Sequence, residues 1–461
     1  MYSQTETVSQ SPDTFGEVSG HVIVPEDPAY DQARAVFYGG IDKRPGAIVR
    51  VRNAADVQRV IAVARDCGYE LAVRSGGHSI AGHSTTDGGI VIDLRSMSKI
   101  DVDAHSRTAW VETGATALEV TEAAARHGLV VGFGDSGSVG VSGITLGGGI
   151  GFLVRKFGLT IDSLLAAEVV TADGRHLHID AHHHPDLFWA IRGGGGNFGV
   201  VTRLHFRLHP MREFTGGILV LPATPKTITG FAAASLAAPE ELSTIGNVMP
   251  APPMPFLPAE VHGRLVILGM MAFAGDSDSA ERALTPFRSL AQPFADLVKP
   301  MPYTGMYPPE DPSYRPTAIG RTMFVGGVDS AMAETIHGYL SKSDAAVRVA
   351  QLRVLGGAAS WVPNDETAYA HRSRRMLVNV AAFYTSPEDR VVRGEWVKEF
   401  ARAVQPDDTA AYVGFLGDEG DGRVRSAYPG ATWDRLRSVK ATYDPQNLFR
   451  LNQNIPPATN R

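Results

Sequence analysis

Apolar positions along the chain follow two periods, and the switches between them outline the elements. Asn53 stands as a helix N-cap with Asp56 three residues on. Val57, Val60, Ile61 and Ala64 then share one face until Gly68 ends the helix. The runs Leu71–Arg74 and Ile90–Leu94 read as buried strands on either side of a glycine-rich loop, a βαβ-like arrangement. Thr108–Glu112 predicts a further strand. Thr116 and Glu119 make a capping box that opens a helix running to Arg126, and Gly128 closes it. Beyond this unit, Ala166–Thr171 and His176–Ile179 flank the turn Ala172, Asp173, Gly174, Arg175, a hairpin signal. Pro185–Ile191 predicts a short helix, and Val200–Leu208 alternates as a half-buried strand does.

The texture changes at Met211. Glycine thins out, and prolines cluster over Pro250–Pro258 and Pro300–Pro316, which predicts long surface loops of the kind that form lids or mouths of binding sites. Met211 to about Gln405 is expected to be a second domain, with Arg348–Leu355 and Leu377–Phe383 as strands of an antiparallel sheet. Thr432–Lys440 predicts a helix in the tail. No period of 20 to 50 residues repeats, so a solenoid is excluded. Helices and hairpins are mixed, and the fold class is α+β.

With 461 residues, 44% of them hydrophobic, the chain has enough apolar material for two domains or three, with two favoured by length. A net charge of -6 without basic runs argues against nucleic acid or an anionic membrane as partner. Met1–Gly16 is polar and carries acids, unlike a secretory or transit peptide, and is expected to be a partly disordered arm. No stretch has the ~18 consecutive apolar residues of a membrane helix, so a cytoplasmic location is expected. The single cysteine, Cys67, leaves no internal disulfide and no cysteine-cluster metal site, and its place at a helix end suggests packing.

Candidate chemistry concentrates in three glycine-dense stretches: Arg74–Ser79 (RSGGHS), Ser138–Gly151 (SVGVSGITLGGGIG) and Arg192–Thr202 (RGGGGNFGVVT). Gly132, Gly134, Gly137 and Gly194, Gly196, Gly199 both match GxGxxG. The second match leaves a helix and enters a strand, and the first is followed by more glycine, so neither has the strand-to-helix setting of a dinucleotide fingerprint. Gly134–Ser138 (GDSGS) resembles a serine-protease nucleophile loop but sits among α/β units. His182, His183 and His184 are consecutive, and their side chains diverge, so no metal site is expected. What remains is a large ligand with a pyrophosphate, cradled by backbone N–H groups from the GGHS and SVGVSG loops.

Taken together, RPGAIVRV, AVRSGGHS, GGIVIDL, VGVSGITLGGGIGFLVRKFGLTIDSL, DLFWAIRGGGGNFGVVT and YDPQNLFRLNQNI closely resemble the FAD-linked oxidases of the vanillyl-alcohol oxidase superfamily, in the bacterial berberine-bridge-enzyme-like branch. The likeness runs from Val22 to Pro457. It implies a two-domain, PCMH-type FAD-binding fold: residues 1–210 and 406–461 form the FAD domain, and residues 211–405 an inserted α+β substrate domain on an antiparallel sheet. The resemblance assigns FAD contacts to Arg74, Ser75, Gly76, Gly77, His78 and Ser79, and to Gly82 and His83 just beyond. It adds Ser138, Val139, Gly140, Ser142 and Gly143, then Gly148, Gly149 and Gly151, then Gly199 and Val200, and Asn452 and Asn454 of the tail.

In this family the histidine of RSGGHS is joined to the flavin 8α-methyl group, which makes His78 the expected covalent link. Ser136 stands where many relatives carry a second linking cysteine, so a single tether is expected. Relatives that oxidise alcohols often end a YxNY motif on a tyrosine base. Here Tyr412, Val413, Gly414 and Phe415 occupy the motif, so Tyr428 or residues of the substrate domain would have to substitute. The period of two along Gln351–Leu355 puts Gln351 and Arg353 on one side, which the resemblance aims at the flavin. The expected activity is FAD-dependent oxidation of a small organic molecule by hydride transfer, with O2 as the acceptor, in a monomer or homodimer. The alternatives are an oxygenating or cyclising enzyme of secondary metabolism, and a flavin-binding protein without turnover.

Overall fold

The computed structural model describes residues 12–311, 313–405 and 409–459. The first eleven residues of the proposed arm lie outside these. Its end is docked: Pro12–Phe15 forms a 3-10 turn, and the Phe15 ring is fully buried beside Val57 and Val60.

The N-terminal half builds two sheets. In the first, β1 (His21–Ile23), β2 (Ala47–Arg50), β3 (Leu71–Arg74) and β4 (Ile90–Asp93) lie in the order β1-β2-β4-β3. β4 pairs parallel with both β2 and β3. All four residues of β4 are buried, as the continuous apolar run requires of a parallel strand covered on both faces. Helix α1 (Ala54–Cys67) starts where Asn53 accepts the Asp56 N–H at 2.9 Å and ends at Gly68, which has a φ of 72°. Cys67 itself is exposed, not packed in the core as its place at the helix end suggested.

The second sheet takes β5 (Ile100–Asp103), β6 (Thr108–Glu112), β7 (Leu164–Val170), β8 (His176–Asp180) and β9 (Val200–Arg207), in the order β5-β6-β9-β7-β8. The hairpin β7–β8 turns where Asp173 and Gly174 supply the turn chemistry. Helix α2 (Ala117–Ala125) carries the complete Thr116–Glu119 capping box. The short helix α3 (Val141–Leu146) lies within the second glycine-rich stretch, and α4 (Pro185–Ile191) leads into the third.

The middle of the chain forms a separate antiparallel sheet: β10 (Thr215–Pro222), β11 (Leu242–Pro250), β12 (Leu265–Phe273), β13 (Ala318–Val325), β14 (Arg348–Val354) and β15 (Met376–Phe383). Their order is β10-β12-β11-β14-β15-β13, with two-residue strands at the β10 edge. Helices α5 (Pro225–Ala237), α6 (Ser277–Arg288), α7 (Ser330–Lys342) and α8 (Pro387–Val404) cover one face, with Phe231, Phe287, Ile336 and Phe400 in their common core. The opposite face turns toward the glycine-rich loops.

After β15 and α8 the chain returns to the first half. Helix α9 (Ala431–Tyr443) is fixed there by Lys440, whose buried Nζ donates to the Asn197 carbonyl and to Asp444, each at 2.6 Å. The two halves are clamped by Arg372, which forks onto Asp162 with two bonds of 2.7 Å, both side chains at most 10% exposed. No helix among the described residues is long and apolar enough to cross a membrane.

Candidate active site

The loop after β3 is the floor of a cleft of about 450 Å3 between the two halves. Gly77 turns it with a φ of 76°. The backbone N–H groups of Gly76, Gly77, His78 and Ser79 find no acceptor among the described residues, leaving successive donors free for an anion. The second loop packs directly on the first. A Cβ on Gly140 would lie 2.1 Å from Ser75 Oγ and 2.2 Å from the Gly76 nitrogen, so only glycine lets the two loops meet.

His78 lines this cleft. Its ring stacks on Phe37, centroids 4.0 Å apart and 16° from parallel, and its Nε2 lies 3.0 Å from Ser138 Oγ. Burial lowers its pKa to about 4; Glu310 and Asp135 oppose the shift, so the ring is neutral at physiological pH. Glu310, from the second proline-rich segment, accepts the hydroxyl protons of Ser138 and of Ser136, the latter at 2.9 Å, and the Gly137 N–H at 3.1 Å. The first proline-rich segment does not reach the cleft; Ala251 and Leu257 pack on Val220 and Val266 instead.

The sheet face opposite carries a polar row. Gln351 on β14 is in register with Asn247 on β11 and Asn379 on β15, and donates to Asn247 Oδ1 at 2.8 Å. Arg353, two residues on, donates through Nε to Gln351 Oε1 at 2.7 Å and through Nη2 to Asp135, which crosses from the loop before Ser136. Its guanidinium lies over the Phe415 ring at 4.8 Å. The residue is 4% exposed, and its buried Nη1 has no partner. Tyr412 closes the cleft from the tail; its hydroxyl accepts the Gly149 N–H at 3.1 Å, and burial raises its pKa.

The cleft thus brings together Ser75, Gly76, Gly77, His78, Ser79 and His83 with Val139, Gly140, Ser142 and Gly143, and it adds Gly199, Asn452, Gln351 and Arg353. Ser138 joins through His78. The other proposed contacts stand elsewhere. Arg74 is buried against Asp93 at 3.0 Å beneath the loop, and Gly82 turns beside Ile41. Gly149 and Gly151 are glycines because a Cβ would strike Thr160 Oγ1 at 1.9 Å and the Phe133 carbonyl at 1.7 Å, and Gly148 packs on Tyr369. Val200 and Asn454 do not line the cleft. Tyr428 lies in the core and does not line the cleft: its hydroxyl donates to the Gly193 carbonyl at 3.2 Å, and burial alone holds the phenol far above its usual pKa. Sequence reasoning passed over Phe37, Asp135, Asn379 and Glu310. Of these, Asn379 and Asp135 had a signal, the first as a polar residue inside an apolar strand and the second as the aspartate of the GDS turn.

FAD fits these residues. The cleft lies between two loops, its floor offers N–H donors without an acceptor among the described residues, and its loop contact excludes any Cβ. Residues 45–180 match the family model described as FAD binding domain, and residues 411–456 the one described as Berberine and berberine like. An uncharacterised FAD-linked oxidoreductase of Bacillus subtilis (strain 168) is 32% identical, covering 96% of this chain and 99% of its own. (R)-6-hydroxynicotine oxidase of Paenarthrobacter nicotinovorans is 30% identical, over 95% and 97%. The crystal structure of 6-hydroxy-D-nicotine oxidase from Arthrobacter nicotinovorans superposes with a TM-score of 0.87 at 27% identity, over 96% and 99%. With its fold, its cleft and these full-length matches in agreement, the chain belongs to the berberine-bridge-enzyme-like FAD-linked oxidoreductases of the vanillyl-alcohol oxidase superfamily.

Proposed function

We propose that this enzyme oxidises a small organic molecule on FAD tethered through His78 alone, with the substrate held against Gln351 and Arg353. FAD, when bound, takes a hydride from the substrate and passes the electrons to O2. The observation that carries the reading is the neutral, stacked imidazole of His78, which shares one cleft with the polar row of β11, β14 and β15.

The chain's own residues divide the work. The Gly76–Ser79 donors and the Gly140 loop hold the pyrophosphate. Arg353, pinned by Gln351 and Asp135, turns its unpartnered Nη1 to an acceptor on the substrate, and the Phe415 ring beneath keeps the guanidinium in place. No phenol stands at Phe415, and Tyr412 is kept protonated by burial, so neither takes a hydroxyl proton. Substrates that release a hydride without losing an O–H proton, neutral amines among them, suit such a surface best.

Acid precipitation tests the tether: the protein pellet should stay yellow, and the peptide containing His78 should carry the flavin mass. Flavin found wholly in the supernatant would refute it. A substrate panel under anaerobic conditions should identify compounds that bleach the flavin, whereas a protein without turnover would bleach with none. With labelled O2, the label should appear in hydrogen peroxide; label in the organic product would make the enzyme an oxygenase.

A further inference from the structure

We propose that Ser138 and Glu310 form a proton relay that makes His78 nucleophilic toward the flavin. The proposal rests on the His78 tether. An ionised carboxylate only accepts hydrogen bonds, so the Ser138 hydroxyl proton is committed to Glu310. Ser138 Oγ then has only lone pairs to offer His78, which obliges Nε2, 3.0 Å away, to carry the imidazole proton. The neutral ring therefore keeps its lone pair on Nδ1, which has no hydrogen-bonding partner among the described residues. Phe37, stacked at 4.0 Å, sets the plane in which that lone pair points.

Glu310 is held for this task. Its other oxygen accepts from the Ser136 hydroxyl at 2.9 Å and from the Gly137 N–H at 3.1 Å. Burial pushes its carboxyl up, but the Ser138 and Ser136 hydroxyls and the Ser138 N–H outweigh it, and the group stays ionised. The residue arrives from the substrate half of the chain, so the relay is complete only when the proline-rich segment lies over the loop Ser136–Ser138.

In the attachment step a bond forms between Nδ1 and the 8α carbon, and one C–H bond of that methyl group breaks. The Nε2 proton passes through Ser138 to Glu310, and two electrons enter the flavin ring. Dioxygen, which the oxidase already uses, removes those two electrons. The hydrogen lost from the imidazole and the hydrogen lost from the methyl group leave with them as one H2O2. Ser138 and Glu310 are positioning residues; His78 alone bonds to the cofactor.

The test uses the full chain, purified without flavin and mixed with FAD in air, with acid-stable flavin, H2O2 release and FAD affinity followed separately. Wild type should gain acid-stable flavin with one H2O2 per flavin. At saturating FAD, Ser138→Ala and Glu310→Gln should slow attachment by about a hundredfold, the usual scale of a general acid-base group. Ser138→Thr and Glu310→Asp, which restore the hydroxyl and the carboxylate, should recover most of the rate. Attachment at the wild-type rate in both Ser138→Ala and Glu310→Gln overturns the relay and leaves the tether standing. Loss of rate that neither conservative variant restores also overturns it. No acid-stable flavin in wild type overturns the tether itself.

Discussion

At the residue scale, Phe415 and Ser136 are where the sequence resemblance implies a departure from the family pattern, and both substitutions can be reversed. Phe415 lies under the Arg353 guanidinium and lines the cleft, so Phe415→Tyr would place a hydroxyl within the polar neighbourhood of Gln351. Turnover of alcohol substrates should rise in that variant, with a new basic limb in the pH profile that wild type lacks. Ser136→Cys should gain a second flavin-bearing peptide, because the Ser136 side chain already reaches into the cleft. Arg353→Gln should lower kcat/KM by about tenfold to a hundredfold, the weight of a hydrogen bond to a charged group, and should also lower the urea midpoint, because Asp135 loses its buried partner. Single residues were the hardest to read from the sequence. His78 announced itself by its motif, but its partners Phe37 and Glu310 come from 41 and 232 positions away and have no local pattern that points to it.

Elements were far more legible, because their signals are local. The caps at Asn53 and Thr116 lie where the sequence places them, and the alternation along Arg348–Val354 does put Gln351 and Arg353 on the cleft side. Glycine was ambiguous for a physical reason: it is required equally where a ligand approaches backbone and where backbone approaches backbone. Gly140 and Gly151 look alike in the chain, yet one borders the cleft and the other only avoids the Phe133 carbonyl. The two should respond differently to a methyl group. Gly140→Ala forces the loops apart at the ligand, so FAD affinity should fall at least about tenfold for a loss of about 1 to 3 kcal/mol in stability, the range for overpacking. Gly151→Ala should cost stability of the same order, and titration of the folded fraction with FAD should show near-normal affinity.

For the whole molecule, stability depends on buried ionic and titratable groups that join distant segments. Asp162→Asn leaves the Arg372 guanidinium buried without its counter-charge, which should cost about 3 to 5 kcal/mol in equilibrium unfolding. His83 and His371 are held neutral by burial, with pKa values lowered from 6.5 to about 4. Between those values the unfolded chain binds protons that the folded chain refuses, so stability falls as pH drops from 6.5 toward 4. The slope is at most about 1.4 kcal/mol per pH unit for each histidine, and His371→Gln should flatten it. Asp93, kept near a pKa of about 2 by Arg74 and Arg95 against the cost of its burial, adds a further loss only in stronger acid. The tail has a consequence of its own. Asn452 closes on the Gly196 carbonyl across 256 positions, and Leu451, Asn452 and Gln453 form part of the cleft wall. A nascent chain still threaded through the ribosome at residue 400 has its glycine loops but not that wall. Cofactor loading should therefore wait until the tail has folded back, and a cell starved of flavin during translation should be able to load the apoprotein afterwards.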